Sequence, residues 1–158
     1  MKVLIIDNFD SFTYNLYHYV NDFIEDCDVV RSDSLENINF IKYNKIILSP
    51  GPSHPSEHIN LVKFLKDYSE SKSILGICLG MQLMAEFFGG KLRNLKKVKH
   101  GVSSMCEIVE VDSIYKNIPK NFEVGHYHSW VVDIKSLPTC FNVTSVNNEG
   151  LIMSISHK

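Results

Sequence analysis

In "ILGICLGMQLM" (74–84) a cysteine stands between two glycines, where an apolar strand-like run gives way to a helical one. A cysteine so placed can act as a nucleophile. Small residues at Gly76 and Gly80 permit a tight strand-to-helix turn that lifts the Cys78 side chain toward a crevice, in the manner of a nucleophile elbow. The start of the following helix directs unpaired N–H groups at the sulfur, which is expected to lower the thiol pKa and favour the thiolate. The same groups, notably the Leu79 N–H, are suited to stabilise a tetrahedral oxyanion. The pentapeptide alone is equally compatible with a buried, inert Cys78 whose flanking glycines serve helix–sheet packing. A second loop bears on the question. "SPGP" (49–52) ends the preceding strand, and in a parallel sheet it is expected to face the same crevice, where the Gly51 N–H is a candidate second oxyanion donor. Pro50 and Pro52 stiffen that loop, although a Pro-Gly-Pro turn is far more often only a turn.

The first half of the chain alternates between two periods. "KVLIID" (2–7) fits a strand covered on both faces, and a helix follows in which Asp10 is the expected cap and Phe12, Leu16, Tyr19, Val20, Phe23 and Ile24 form one apolar stripe. "DVVRSD" (28–33) and "NKIILSPG" (44–51) read as two further strands, and Ser56 as the cap of a helix through Tyr68. "SILGIC" (73–78) is the next buried strand and "LGMQLMAEFF" (79–88) the next helix, closed by Gly89 and Gly90. Such alternation predicts an α/β fold, an open, mostly parallel sheet flanked by helices. From Gly90 onward "SSMCEIVEV" (103–111), "HSWVVDI" (128–134), "TCFNVTSV" (139–146) and "LIMSISH" (151–157) predict antiparallel strands that extend or flank the parallel core.

Size and composition bound the function. At 158 residues, with 44% hydrophobic and 22% charged residues, the chain is expected to form a single domain over 1–158. A net charge of −2 disfavours a nucleic-acid partner, and the lysines of "KLRNLKKVKH" (91–100) read as a solvated strand edge. No apolar run approaches the length of a membrane span, and "MKVLIID" meets an aspartate too early for a secretory leader, so a cytoplasmic location with no membrane partner is expected. Cys27, Cys78, Cys106 and Cys140 are scattered, without metal spacing or a disulfide framework. The glycines around Cys78 match neither phosphate-binding pattern, which disfavours a phosphate-binding module.

"LSPGP" (48–52), "GICLGMQLM" (76–84) and "YHSW" (127–130), in this order and spacing, closely resemble the class I (triad) glutamine amidotransferases, and the resemblance covers the whole chain. It implies a flavodoxin-like sheet of that family, with no cofactor and no metal in this chain. "IIDNFDSFTYNL" (5–16) further resembles the chorismate-using branch, the glutaminase components of anthranilate synthase and aminodeoxychorismate synthase. The resemblance implies that Cys78 attacks the side-chain amide of glutamine and forms a glutamyl thioester, with Gly51 and Leu79 as oxyanion donors. Gln82 would help to hold the substrate, and Ser129 and Trp130 would bind its α-amino and α-carboxylate ends. The implied partner is a chorismate-binding synthase subunit that receives the ammonia in a heteromer; whether the product leads to tryptophan or to folate stays open.

The sequence departs from the family at the base. The family uses a histidine oriented by a glutamate two residues later, in a His-Pro-Glu segment near the C-terminus. "HPSE" (54–57) has the wrong order, and His126, His128 and His157 have no glutamate two positions on. The expectation is a domain truncated at its C-terminus that turns over glutamine poorly or not at all as it stands. Smaller departures are Met81, Trp130, and "HGVSS" (100–104), which lacks the family's lysine. Two other readings remain: a catalytically incomplete docking subunit, and a cysteine hydrolase or redox-sensing protein acting on another substrate.

Overall fold

A run of four apolar residues cannot alternate between core and solvent, so the first strand needs cover on both faces. In the computed structural model, which describes all 158 residues, this strand is β1 (Val3–Asp7), and Val3, Leu4, Ile5 and Ile6 are at most 1% exposed. Residue contacts divide the chain into two units, Met1–Phe87 and Phe88–Lys158. In the first unit β1 is followed by α1 (Thr13–Asn21), β2 (Cys27–Arg31), β3 (Lys45–Leu48), α2 (Ile59–Tyr68), β4 (Ser73–Gly76) and α3 (Leu79–Phe87). The four strands are parallel, in the order β2-β1-β3-β4. Leu4, Ile6, Ile46 and Leu48 meet α2 and α3 through Leu61, Phe64, Leu65 and Leu83. Val3, Ile5 and Ile47 meet α1 through Leu16, Tyr17 and Val20. The two-residue period of the strands thus divides one apolar run between two helical layers.

Local details differ from the sequence expectation. On α1 the buried arc runs through Leu16, Tyr17 and Val20, while Phe12, Tyr19 and Phe23 are mostly exposed; the helix ends at Asn21, before Phe23 can join it. Asp10 is not the cap residue. Its carboxylate accepts the Phe12 N–H at 2.8 Å, while Asp7 accepts the Thr13 hydroxyl at 2.7 Å. The helix expected from Ser56 starts only at Ile59. Pro55–Glu57 instead form a single 3-10 turn capped by His54, whose ring accepts the Ser56 N–H while Glu57 accepts the His54 N–H.

The second unit holds a separate sheet that does not extend the first: β5 (Leu92–Ile108), β6 (Asn121–Val132), β7 (Phe141–Asn147) and β8 (Ile152–His157), antiparallel in the order β6-β5-β7-β8. Only Cys106–Ile108 of β5 pair with β7; of its lysines, Lys99 is in register with β6, while Lys96 and Lys97 lie in a register shift. The β5–β6 register shifts between Asn94 and Lys99 and again between His100 and Val102, where Gly101 has φ +64°. The interior of this sheet is partly polar: His126, Thr144, Ser145 and Asn147 are buried beside Cys106, Val131 and Ile152. No helix of the chain is long and apolar enough to cross a membrane.

The amino ends of the parallel strands are tied by charge. Lys2 Nζ lies 2.8 Å from Asp26 and 3.2 Å from Asp28, and the buried Tyr43 hydroxyl donates to Asp28 at 2.6 Å. That bond holds the Asp28 carboxyl below its usual range, while burial and the bond together push Tyr43 up to about 12. A depressed carboxyl stabilises the fold above its unfolded pKa, and the contribution is lost as pH falls through the folded value. Tyr43→Phe should therefore destabilise the protein by about 1 kcal/mol from neutral pH down to the ordinary carboxyl value of 3.8, and by less only below it, when both proteins are compared by urea denaturation.

Candidate active site

In this strand order the connections leave β1 and β3 on opposite faces and open a crevice at their carboxyl ends. Three segments meet there: Asn8 after β1, Ser49–Pro52 after β3, and Ile77–Leu79 after β4. Ile6, Leu48 and Gly76 are in register across the sheet. Beyond them the Ser49 N–H donates to Ile6 O at 3.1 Å, and the Ile77 N–H to Leu48 O at 2.9 Å.

Cys78 follows with φ +53°, in the left-handed region that costs a side-chain-bearing residue about 1–2 kcal/mol. The surroundings over-determine that conformation. The Gly80 N–H donates to Ile77 O at 3.0 Å and the Gln82 N–H to Cys78 O at 3.0 Å, so α3 begins at once. A Cβ at Gly76 would lie 2.4 Å from the Gly80 carbonyl carbon, and one at Gly80 would lie 2.6 Å from Leu48 O. The glycines therefore serve packing, and that packing forces the elbow; the two roles weighed from the sequence are one. Cys78 is half-buried, whereas Cys27 and Cys106 are buried.

The loop after β3 is held from β1. The Asn8 N–H donates to Ser49 Oγ at 2.9 Å, Asn8 Nδ2 donates to Ser49 O at 2.8 Å, and Ser49 Oγ donates to Pro50 O at 2.6 Å. Asn8 is fully buried, and its Oδ1 has no hydrogen-bond partner. At Gly51 an added Cβ would lie 2.6 Å from Leu79 Cδ2 and 2.7 Å from Asn8 Cβ, so the loop lies directly against the elbow. Asn8 and Ser49 were not candidates from sequence; their only signal was a polar residue directly after each apolar strand.

The expected lowering of the Cys78 pKa is overturned. Burial of the sulfur dominates and pushes the thiol above its ordinary value, and the Asp10 carboxylate adds to the shift; the Leu79 N–H, directed at the sulfur, opposes them without prevailing. Gln82, 7% exposed, lies on α3 one turn beyond Cys78. Ser129 and Trp130 are neighbours on β6 of the second unit. Of the histidines in the first unit, His54 pairs with Glu86 at 3.6 Å; Glu86 stands eight residues past Cys78, roughly 12 Å along the helix. No group of three or more His, Cys, Asp or Glu side chains is arranged to hold a metal ion.

The fold is thus a doubly wound α/β sheet with a half-buried thiol at a left-handed strand–helix elbow, beside a proline-stiffened loop at the carboxyl ends of the parallel strands. The chain belongs to the class-I glutamine amidotransferases, whose family model matches residues 4–158 and so spans both units. It is 40% identical to aminodeoxychorismate synthase component 2 of Escherichia coli, over 99% of this chain and 84% of that protein. It is 38% identical to anthranilate synthase component 2 of Leptospira biflexa, over 100% of this chain and 86% of that protein. Among solved structures, a glutamine amidotransferase from Thermotoga maritima superposes with a TM-score of 0.80 at 16% identity, covering 99% of this chain and 71% of that one, a likeness of fold.

Two outcomes follow from the elbow. Cys78→Gly should be more stable than Cys78→Ala by about 1 kcal/mol in denaturant titrations, the reverse of the order at an ordinary helical position. Alkylation of Cys78 by a small neutral reagent, followed on its own peptide by mass spectrometry, should still be accelerating at the pH where a free thiol has reached its plateau.

Proposed function

We propose that this chain is the glutaminase subunit of a chorismate-using synthase, releasing ammonia for anthranilate or aminodeoxychorismate synthesis in a heteromer with a chorismate-binding subunit. The carrying observation is the left-handed Cys78 with the Leu79 N–H aimed at its sulfur and the Gly51 loop against it. The names borne by relatives at 38–40% identity over nearly the whole chain supply the branch. In this reading the Cys78 sulfur attacks the side-chain carbonyl carbon of glutamine, and the oxyanion is held by the Leu79 and Gly51 N–H groups. The C–N bond then breaks as the amide nitrogen takes up the proton that the thiol lost and leaves as ammonia, and water cleaves the thioester to glutamate and the free thiol. The substrate-binding candidates of this reading are Gln82 in the first unit and Ser129 and Trp130 in the second.

A thiol raised above its ordinary pKa is mostly protonated at neutral pH, so this chemistry needs a base. No histidine of the 158 residues is followed two positions on by a glutamate. The proposal therefore includes slow or absent turnover by these 158 residues, with Cys78 still able to form a covalent adduct. Incubation with a diazoketone analogue of glutamine, read by intact mass beside a Cys78→Ser control, should give one saturable, Cys78-dependent adduct that glutamine suppresses. Labelling indifferent to glutamine would instead point to a cysteine hydrolase of other substrates. Absence of any adduct, with tight binding to a synthase subunit, would leave a docking subunit.

A further inference from the structure

Within the second unit, two imidazoles stand in series beside Ser129 and Trp130. Ser104 Oγ lies 2.6 Å from His126 Nε2, His126 Nδ1 lies 3.0 Å from His128 Nε2, and His128 Nδ1 lies 3.1 Å from Trp130 O. A carbonyl oxygen only accepts, so His128 Nδ1 carries a hydrogen. With both rings neutral His128 Nε2 must accept, so His126 donates from Nδ1 and its Nε2 takes the Ser104 hydroxyl hydrogen. One arrangement of protons satisfies all three bonds.

The chain of bonds ends beside an irregularity of the sheet. In the β5–β6 ladder Trp130 pairs with Asn94 and His128 with Lys99, so four residues of β5 stand opposite Ser129 alone. The bond from His128 to the Trp130 carbonyl spans Ser129 and ties together the residues on either side of it at this register shift. We infer that Ser104, His126 and His128 are positioning residues that hold Ser129 and Trp130 for the α-amino and α-carboxylate ends of glutamine, and that a proton added to the relay releases them. This rests on the function proposed above.

A proton on His128 Nε2 would face the His126 Nδ1–H across 3.0 Å, donor against donor. A proton on His126 would place a cation in a ring that is 2% exposed. The charged groups facing the pair are Lys99 on β5, which opposes protonation of either ring, and Glu149 in the β7–β8 turn, which favours it at His126; these two also pair with each other. Asn147 Nδ2 donates to Ser104 from β7 at 3.5 Å. Burial is the main cause that holds both rings below the ordinary histidine value of 6.5. The relay is thus intact at neutral pH and fails only as pH falls through these lowered values.

The test uses the full chain with nitrogen-15-labelled histidine. Long-range nitrogen–proton spectra at neutral pH should show both His126 and His128 as Nδ1–H tautomers, against the Nε2–H preference of free histidine; an Nε2–H tautomer at either ring overturns the relay. The second measurement is the concentration of the glutamine analogue that half-saturates Cys78 labelling. His128→Phe should raise it by roughly 3- to 10-fold at an unchanged limiting rate, and His128→Asn, which keeps a donor near the Nδ1 position, should largely restore it. The parent should show the same rise on acidification, and His128→Asn should not. Saturable labelling that ignores His128→Phe overturns this inference alone. Non-saturable labelling of the parent, with the tautomers as stated, overturns the proposed function and with it the role in glutamine binding.

Discussion

The turn at Cys78 exists because α3 begins so close to β3 and β4 that only hydrogen fits between them. Gly80 lies against the Leu48 carbonyl and Gly76 against Gly80, and the chain between them can close only if its middle residue adopts positive φ. The strain at the cysteine is small beside the burial of Ile46, Leu48, Leu61 and Leu83, which fixes where α3 must lie. The core therefore sets the backbone of Cys78, and the geometry of the thiol is a by-product of sheet and helix packing.

Electrostatics at the same place pull in two directions. The helix start offers an N–H to the sulfur, but burial and Asp10 together outweigh it. A half-buried thiol that stays protonated at rest is protected from oxidation and stray alkylation, and it becomes a nucleophile only when a base is brought to it. Under the proposed function the Leu79 and Gly51 N–H groups are the oxyanion donors, and the clasp from Asn8 to Ser49 holds the loop that carries Gly51.

Much of the first unit was legible in the sequence because its signals are local. The run VLIID, the glycines around Cys78 and the Pro-Gly-Pro loop state their conformational needs within a few residues. Helix starts were less legible. Asp10 and Ser56 are good capping types, yet Asp10 bonds two residues ahead and Pro55 turns the chain into a 3-10 turn capped by His54. The stripe on α1 was overdrawn, since nothing in Phe23 shows that the helix has ended at Asn21. In the second unit, residues 121–127 do alternate, but after Phe122 and Val124 the next inward place is taken by His126 beside Gly125, so the apolar run is too short to mark a strand and the front half of β6 was missed. Its inward-facing residues bond to one another across strands, and a pattern of hydropathy does not register such pairings.

The Asn8–Ser49 clasp joins segments 41 residues apart in sequence, one at the end of a wholly buried strand. A surface loop usually opens on its own and exchanges its amide hydrogens far faster than the core. Here the Asn8 N–H ends on the Ser49 hydroxyl and the Asn8 side chain on the Ser49 carbonyl, so the loop opens only by uncovering an asparagine that already has one unsatisfied acceptor. Slow exchange is thereby extended from the sheet into the loop. The loop that would meet the substrate shares the lifetime of the folded state, and whatever mobility the site requires must come from elsewhere in the chain.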